Sequence, residues 1–316
     1  MRKIRYVVAG LLGLILAGGG LRMLTFEAHS RPASQIKVVH TPERLARGAY
    51  LTRSVLACGA CHGSKEMGST AKVDHLALTG GECWTRDYGF PGTLCATNLS
   101  ADPETGLGSW TDGEVDRALR EGVSRDGRAL MGVMPYDAYR HLSDEDAHAV
   151  VAHLRTLPAV KHAMPAPDID FPVSFFIKLG PEPLAGPVVG PDPTDPVARG
   201  RYLATVAGCQ GCHTPVDGRH QPLPGRDFAG GQVFEGPFGA ATSSNLTPHA
   251  KGLRADTAES FVALFRNRAT AASEPNAKQT TPMPWSSYGS MTREDLNSLY
   301  EFFSGLKALD STTPEP

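Results

Sequence analysis

The sequence predicts an all-α protein in which two tandem domains follow an N-terminal membrane anchor helix. Three observations support this prediction. The second half of the 316-residue chain repeats the first half at an offset of about 150 residues, the apolar residues of both halves recur at helical spacing, and an uncharged run follows a basic N-terminus. The long offset excludes a solenoid, whose repeats are about 20–50 residues long.

Residues 1–30 form the predicted membrane anchor or signal segment. Three basic side chains among the first five residues precede an uncharged run at 6–21, which Arg22 ends. The run is short for a membrane span, which needs about 20 residues. It lacks a convincing cleavage motif, so an uncleaved anchor is favoured over a cleaved signal peptide. Both alternatives keep the basic end in the cytoplasm and export everything after Arg22.

The repeat defines a first copy, residues 42–157, and a second copy, residues 197–310, which are the two predicted domains. A duplication of this size comprises a whole domain, so a role assigned to a residue in one copy should have a counterpart in the other. Matched residues include Tyr50 and Tyr202, Gly80 and Gly230, Asn98 and Asn245, Tyr139 and Tyr288, and Asp146 and Asp295.

Each copy predicts the same three helices. The first carries an Arg-Gly-x-Tyr-Leu segment and runs into a cysteine motif. The second opens at Thr111 in the first copy, where Glu114 gives the form of a capping box, and covers residues 256–266 in the second copy. The third opens at Ser143 and at Thr292, and the loops between the helices are long and rich in glycine and proline.

Residues 158–196, between the two copies, contain ten prolines in 39 positions. This composition predicts a stiff, extended linker and not a further domain. Within it, residues 171–177 are strongly apolar, and we expect them to pack in the groove between the two domains. The alternative is contact with a membrane or with a partner subunit.

The pattern C-x-x-C-H occurs once in each copy. It is typical of the attachment of a c-type haem, because two thiols add across the two vinyl groups of one haem and the adjacent histidine reaches the iron. A thioredoxin-like or zinc site is the alternative, but the recurrence inside one longer motif favours two covalently bound haem c groups. The predicted attachment residues are Cys58, Cys61 and His62, and Cys209, Cys212 and His213.

A second axial ligand for each iron is predicted from the matched methionines. Met134 lies 72 residues after His62, and Met283 lies 70 residues after His213. Each methionine precedes a proline, which predicts an extended loop. Ligation by a thioether raises the reduction potential and leaves the iron fully coordinated. Met131 is the nearest rival, and a histidine ligand in one site is the other alternative.

Further polar residues are candidates for roles near the haems. Tyr50 and Tyr202 are candidates for packing on a haem edge or bonding a propionate. Asn98 and Asn245 are candidates for a side-chain hydrogen bond near the haem.

Cys83 and Cys95 lie outside both motifs, twelve positions apart. A disulfide is favoured, because haem c is attached outside the bacterial cytoplasm, where disulfides also persist. The alternative is that one of these thiolates ligates or approaches a haem iron.

These motifs resemble the class I cytochrome c family in its two-domain, membrane-anchored bacterial form. The residues that carry the resemblance are the C-x-x-C-H pairs, the Met134-Pro135-Tyr136 and Met283-Pro284-Trp285 loops and the final helices. It covers residues 42–310 and implies a small helical fold around each haem, with one haem edge exposed for electron exchange. Residues 98–112 are similar to a segment of the cytochrome subunits of membrane-bound alcohol, gluconate and related dehydrogenases. Those subunits often carry three haem motifs, whereas this chain has two.

The predicted function is electron transport without bond chemistry. Electrons would pass between a dehydrogenase or quinol-oxidising complex and a periplasmic or membrane acceptor, such as a terminal oxidase. The protein would lie in the inner membrane, with a cytoplasmic N-terminus and periplasmic haem domains. The net charge of −2, with no long run of one sign, argues against binding to nucleic acid.

The alternative function is that of a dihaem redox enzyme. A peroxidase needs a haem with a releasable ligand, and the methionine candidate in each copy argues against it. A thiosulfate-dehydrogenase-like enzyme would need a thiolate on iron, for which Cys83 or Cys95 is the source.

Overall fold

The computed structural model describes residues 27–63, 77–81, 83–236, 238–253, 257–274 and 281–311. The anchor predicted at 6–21 lies outside the described residues. Within the described ranges, no helix combines the length and the apolar character that a membrane crossing requires.

Short helices dominate the first copy and the segment that follows it. The helices are α1 (Pro42–Tyr50), which continues into a π-helical turn (Leu51–Val55), α2 (Gly59–His62), α3 (Asp112–Glu121), α4 (Tyr136–Tyr139), α5 (Asp144–Arg155) and α6 (Val173–Phe176). Short 3-10 turns cover Arg86–Tyr88 and Ile177–Leu179, and the strands are β1 (Cys83–Trp84), β2 (Gly92–Cys95) and β3 (Asp168–Ile169).

The second copy has the same order of helices. They are α7 (Pro196–Val206), α8 (Cys209–His213), α9 (Ala258–Ala272), α10 (Trp285–Tyr288) and α11 (Arg293–Ser304), with a hairpin of β4 (Val233–Gly236) and β5 (Gly239–Thr242) between α8 and α9. The strands of the described chain are only two to four residues long, so the all-α class predicted from the sequence describes the fold correctly.

Helices α3, α5 and α11 begin at the residues that the sequence predicts. The Thr111 hydroxyl accepts from the Glu114 N–H, and the Glu114 carboxylate accepts from the Thr111 N–H at 2.7 Å, which completes the capping box. Ser143 and Thr292 cap α5 and α11 through their hydroxyls. Helix α9 begins after Thr257 and runs to Ala272, six residues beyond the predicted end.

The first and last helices of each copy cross closely at a glycine. A Cβ atom on Gly48 of α1 would lie 1.9 Å from the carbonyl oxygen of Ala149 in α5. A Cβ atom on Gly200 of α7 would lie 1.9 Å from the carbonyl oxygen of Ser298 in α11. Because any side chain would collide with backbone, glycine is what allows each helix pair to pack.

The π-helical turn of the first copy accommodates one extra residue. Eight positions separate Tyr50 from Cys58, but only seven separate Tyr202 from Cys209. The π turn Leu51–Val55 absorbs the difference, since a π helix closes its hydrogen bonds over one more residue than an α helix. The cysteine motif therefore follows the first helix equivalently in both copies.

The linker is extended, as its prolines predict, but it is fastened along the first copy. Strand β3 pairs with β2, the Arg86 guanidinium donates to the Asp170 carboxylate at 2.6 Å, and the Asp144 N–H donates to the Val188 carbonyl. The prediction that residues 171–177 pack in a groove is wrong for Phe171 and Phe176, whereas Phe175 is half-buried. Phe171 is 72% exposed and Phe176 is 56% exposed.

Candidate haem sites

The chain enters each cysteine motif through a residue in the left-handed backbone region. Ala57 has φ of 50°, and Gly208 has φ of 70°. Each of these residues ends the approach helix and turns the chain into the short helix that carries the motif. Cys58 and Cys209 follow directly, so the thiols of the two copies are presented by equivalent backbone turns.

The histidine of each motif is oriented by one backbone carbonyl. His62 Nδ1 lies 2.7 Å from the Thr97 oxygen, and His213 Nδ1 lies 2.8 Å from the Ser244 oxygen. A carbonyl oxygen only accepts, so Nδ1 donates and Nε2 keeps the lone pair that can bind a metal. Burial lowers the pKa of both histidines, which favours the neutral imidazole that coordinates iron.

A matched glycine holds the backbone of each histidine. The Gly80 N–H donates to the His62 carbonyl at 2.9 Å, and the Gly230 N–H donates to the His213 carbonyl at 2.7 Å. Both glycines have positive φ, 87° and 67°. The ring and the main chain of each histidine are therefore held by separate hydrogen bonds.

A tyrosine ties each methionine loop to the approach of its cysteine motif. The Tyr139 hydroxyl donates to the Leu56 carbonyl at 2.8 Å, and the Tyr288 hydroxyl donates to the Ala207 carbonyl at 2.7 Å. Leu56 and Ala207 each lie two residues before the first cysteine of a motif. Each tyrosine lies five residues after the predicted methionine ligand, so this bond keeps the methionine loop close to the attachment site.

The predicted ligands Met134 and Met283 occupy equivalent positions. Both side chains are half-buried and pack against the hydrophobic core. The following prolines, Pro135 and Pro284, have nearly identical backbone angles and start the short helices α4 and α10. The predicted extended loop is wrong for the first copy, where the Met134 N–H donates to the Met131 carbonyl at 2.9 Å and closes a turn before the proline.

The predicted haem contacts of Tyr50 and Tyr202 are wrong for their hydroxyls. The Tyr50 hydroxyl donates to the carboxylate of Asp295, and the Tyr202 hydroxyl donates to the Asp146 carboxylate at 2.7 Å. Each bond joins the two copies. Both phenol hydroxyls therefore donate to a carboxylate of the other copy and not to a haem propionate.

Asn98 and Asn245 donate side-chain hydrogen bonds, and the partners are backbone carbonyls of the chain that leaves each copy. The Asn98 amide donates to the Val160 carbonyl at 2.8 Å, and the Asn245 amide donates to the Leu309 carbonyl at 2.7 Å. Val160 and Leu309 lie just beyond the last helix of their copies. Equivalent asparagines therefore hold equivalent tails.

Cys83 and Cys95 form the favoured disulfide, which joins β1 to β2 at directly opposed positions. The alternative, that one of them supplies a thiolate to iron, is wrong for this oxidised pair. The four motif cysteines take no part in that disulfide. With one imidazole in each copy, they match the donor set of two haem c groups.

Comparison with known proteins identifies the family. The family model described as Cytochrome c matches residues 45–158. A relative named "Diheme cytochrome c-type" from Cereibacter sphaeroides is 33% identical over 249 residues, which cover 77% of this chain and 80% of the relative. The chain belongs to the class I c-type cytochrome family. This cytochrome carries two covalently bound haem c groups.

Other relatives of the cytochrome are named as dehydrogenase subunits. The fructose dehydrogenase cytochrome subunit of Gluconobacter japonicus is 33% identical over 228 residues, which cover 70% of this chain and 43% of the relative. The alcohol dehydrogenase (quinone) cytochrome c subunit of Gluconobacter oxydans is 39% identical over 210 residues, which cover 64% of this chain and 40% of the relative. The cytochrome thus spans less than half the length of these two subunits.

The site chemistry follows from the residues around each attachment point. Bound haem supplies a one-electron iron couple. The histidines are held in one tautomer and orientation by Thr97 and Ser244, and the tyrosine bonds restrain the methionine loops. The sequence did not identify these carbonyl partners, because a backbone oxygen can belong to any residue type. The available signal was the repeat, since each carbonyl belongs to the residue directly before a matched asparagine.

Proposed function

We propose that this cytochrome carries electrons between a dehydrogenase or quinol-oxidising complex and a periplasmic or membrane acceptor, such as a terminal oxidase, and catalyses no bond chemistry itself. The observation that carries the proposal is the duplication of one complete set of restraints: a histidine bonded through Nδ1 and a Met-Pro loop tied by a buried tyrosine. Two equally restrained sites suit electron transfer, since neither copy is built differently to release a ligand.

Each copy is proposed to be one cytochrome c domain, residues 42–157 and 197–310, with Met134 and Met283 as the second axial ligands. Support comes from the equivalent position of the two methionines, half-buried before a proline and five residues from a tyrosine bonded beside the cysteine motif. Histidine–methionine ligation gives a high-potential iron with no open position.

A dehydrogenase is the favoured electron donor. Relatives from several bacteria are named as cytochrome subunits of fructose, alcohol and gluconate dehydrogenases. Those subunits are mostly longer than this chain. The proposal is therefore limited to the class of donor and does not extend to its substrate.

The proposed location is the inner membrane, with a cytoplasmic N-terminus and periplasmic haem domains. The basic residues before the uncharged run at 6–21 favour this orientation. A disulfide in the first copy favours an oxidising compartment for the haem domains.

A dihaem enzyme of the thiosulfate-dehydrogenase type is disfavoured. Such an enzyme needs a cysteine thiolate on iron. Cys83 and Cys95 are joined to each other, and the other four cysteines belong to the attachment motifs.

A spectroscopic redox titration of the purified full-length cytochrome tests the proposal. We expect two high-potential transitions and the weak absorption at the red edge of the spectrum that sulfur–iron ligation produces. Met134→His and Met283→His should each convert one haem to a low-potential form and remove its share of that absorption. Met131→His is the matched control and should leave both unchanged.

A five-coordinate haem or a low-potential haem in the wild-type protein would overturn the carrier proposal. Unchanged spectra in Met134→His or Met283→His would overturn the assignment of that ligand.

A further inference from the structure

Reciprocal tyrosine–aspartate bonds join the two copies. Tyr50, the last residue of α1, donates to Asp295 at the start of α11 in the second copy. Tyr202 of α7 donates to Asp146 at the start of α5 in the first copy, at 2.7 Å. Each copy thus supplies one phenol and one carboxylate, and the two bonds are equivalent under exchange of the copies.

An arginine of the same copy fixes each aspartate. Arg47 donates twice to Asp146, at 2.8 and 2.7 Å, and Arg199 donates to Asp295 at 2.6 Å. Asp295 is 1% exposed and Asp146 is 8% exposed. Hydrogen bonds to charged groups in such surroundings contribute more than neutral ones. We call each arginine–aspartate–tyrosine set a clamp.

The clamp hydroxyls also accept backbone hydrogen bonds from across the interface. The Ser143 N–H donates to the Tyr202 hydroxyl, and the Thr292 N–H donates to the Tyr50 hydroxyl, each at 3.2 Å. Ser143 and Thr292 are the residues that cap α5 and α11. Each clamp therefore anchors the start of a final helix to the first helix of the other copy.

Further contacts between the copies bring together the approaches to the two cysteine motifs. Helix α10 packs on the π turn of the first copy, and α4 packs on α7. The hydroxyls of Ser54 and Ser290 are hydrogen-bonded at 2.6 Å.

We infer that Tyr50 and Tyr202 are positioning residues that hold the two haem-binding copies in one fixed orientation, so that electrons pass between the two haems across this interface. The inference rests on the proposed function. Electron tunnelling weakens steeply with distance, so a fixed orientation keeps transfer fast without domain motion. The two clamps lie side by side, since the Arg47 guanidinium of one lies 5.7 Å from the ring centroid of Tyr50 in the other. Together they tie the starts of both final helices to the opposite copy.

The test uses the full-length protein with both Tyr50→Phe and Tyr202→Phe, which remove the hydroxyls and keep the rings. Tyr300→Phe is the matched control, because its ring packs on Phe261 of the same copy. The first readout is hydrogen exchange of the amides of Ser143 and Thr292. The second readout is the transfer of an electron between the two haems after flash reduction with about one electron per protein. It is followed by absorbance at a wavelength where the two haem spectra differ.

We expect exchange of both amides to accelerate at least about tenfold in the double variant, and redistribution to slow, with no change in the control. Unchanged hydrogen exchange of the two amides would show that the clamps do not hold the copies together. Faster hydrogen exchange with an unaltered rate of electron redistribution would overturn the role of the clamps in electron transfer. If the wild-type protein itself showed no redistribution, this inference would be overturned, whereas the carrier proposal would be overturned only by the redox titration. Haem content and the sulfur–iron absorption, measured in every variant, establish that the sites remain intact.

Discussion

At the scale of single residues, each haem site depends on backbone groups placed by residues in unusual conformations. Ala57 is an example, because its left-handed conformation costs an L-residue about 1–2 kcal/mol relative to the right-handed region. Gly208 occupies the equivalent place in the second copy at lower cost. The first copy therefore tolerates strain next to its first attachment cysteine.

Ala57→Gly should raise the free energy of unfolding by about 0.5–1 kcal/mol, since relief of strain exceeds the entropy that glycine adds to the unfolded chain. Gly208→Ala is the mirror-image change, and it should lower the free energy of unfolding by a similar amount. Urea unfolding of fully haem-loaded protein measures both. A loss of stability in Ala57→Gly would contradict the assignment of strain.

Alkaline pH should weaken the clamps. Burial, then the bond to Asp295, raises the pKa of Tyr50 to about 12, and burial and Asp146 raise that of Tyr202. Because the pKa of each phenol is higher in the folded protein than its unfolded value of about 10, the protonated phenols stabilise the fold fully below pH 10. This stabilisation is lost as the pH rises toward 12. The stability difference between wild type and the double phenylalanine variant, measured by urea unfolding from pH 9 to 12, should shrink. A constant difference would show that the phenols do not titrate in the clamps.

The two tyrosines also show where prediction from sequence stops at this scale. The C-x-x-C-H motifs identify the attachment residues because haem c chemistry demands those residue types in that order. Tyr50 and Tyr202 stand out as a matched pair, but their partners lie in the other copy, and Asp295 is 245 positions away from Tyr50. The repeat shows which residues of the two copies are equivalent. It does not show which residues of one copy contact the other copy.

At the scale of elements, helix starts were predictable and strands were not. Thr111, Ser143 and Thr292 each cap a helix through a hydroxyl, a local interaction that short sequence patterns record. Strand β2 depends on a disulfide to β1 and on pairing with β3 from the linker. Those interactions are not local, and strands of two to four residues are too short to show alternation.

The glycine crossings give a prediction at this scale. Gly48→Ala and Gly200→Ala should each lower the free energy of unfolding by about 1–3 kcal/mol or more, because the new methyl group meets a backbone oxygen that cannot move alone. Thermal unfolding measures the change. Gly218→Ala is the control, since an added Cβ there has no other atom within 4 Å. Equal melting temperatures for Gly48→Ala and the control would contradict the close crossing.

At the scale of the whole molecule, the duplicated unit is longer than the helices alone indicate. The tail of the first copy, held by Asn98 at Val160, is the start of the linker, and the tail of the second copy is held by Asn245 at Leu309. Composition identified the linker by its prolines but could not reveal that its early part completes the first copy. A fragment that ends at residue 157 would lack this closing contact.

The extra residue in the first copy has a further consequence. It gives one of two otherwise equivalent approaches a π turn, and the disulfide and the fastened linker also belong to the first copy alone. The two copies are therefore not related by exact twofold symmetry. The cytochrome has two chemically distinct ends, and a protein that docks at one end meets a different surface from a protein that docks at the other.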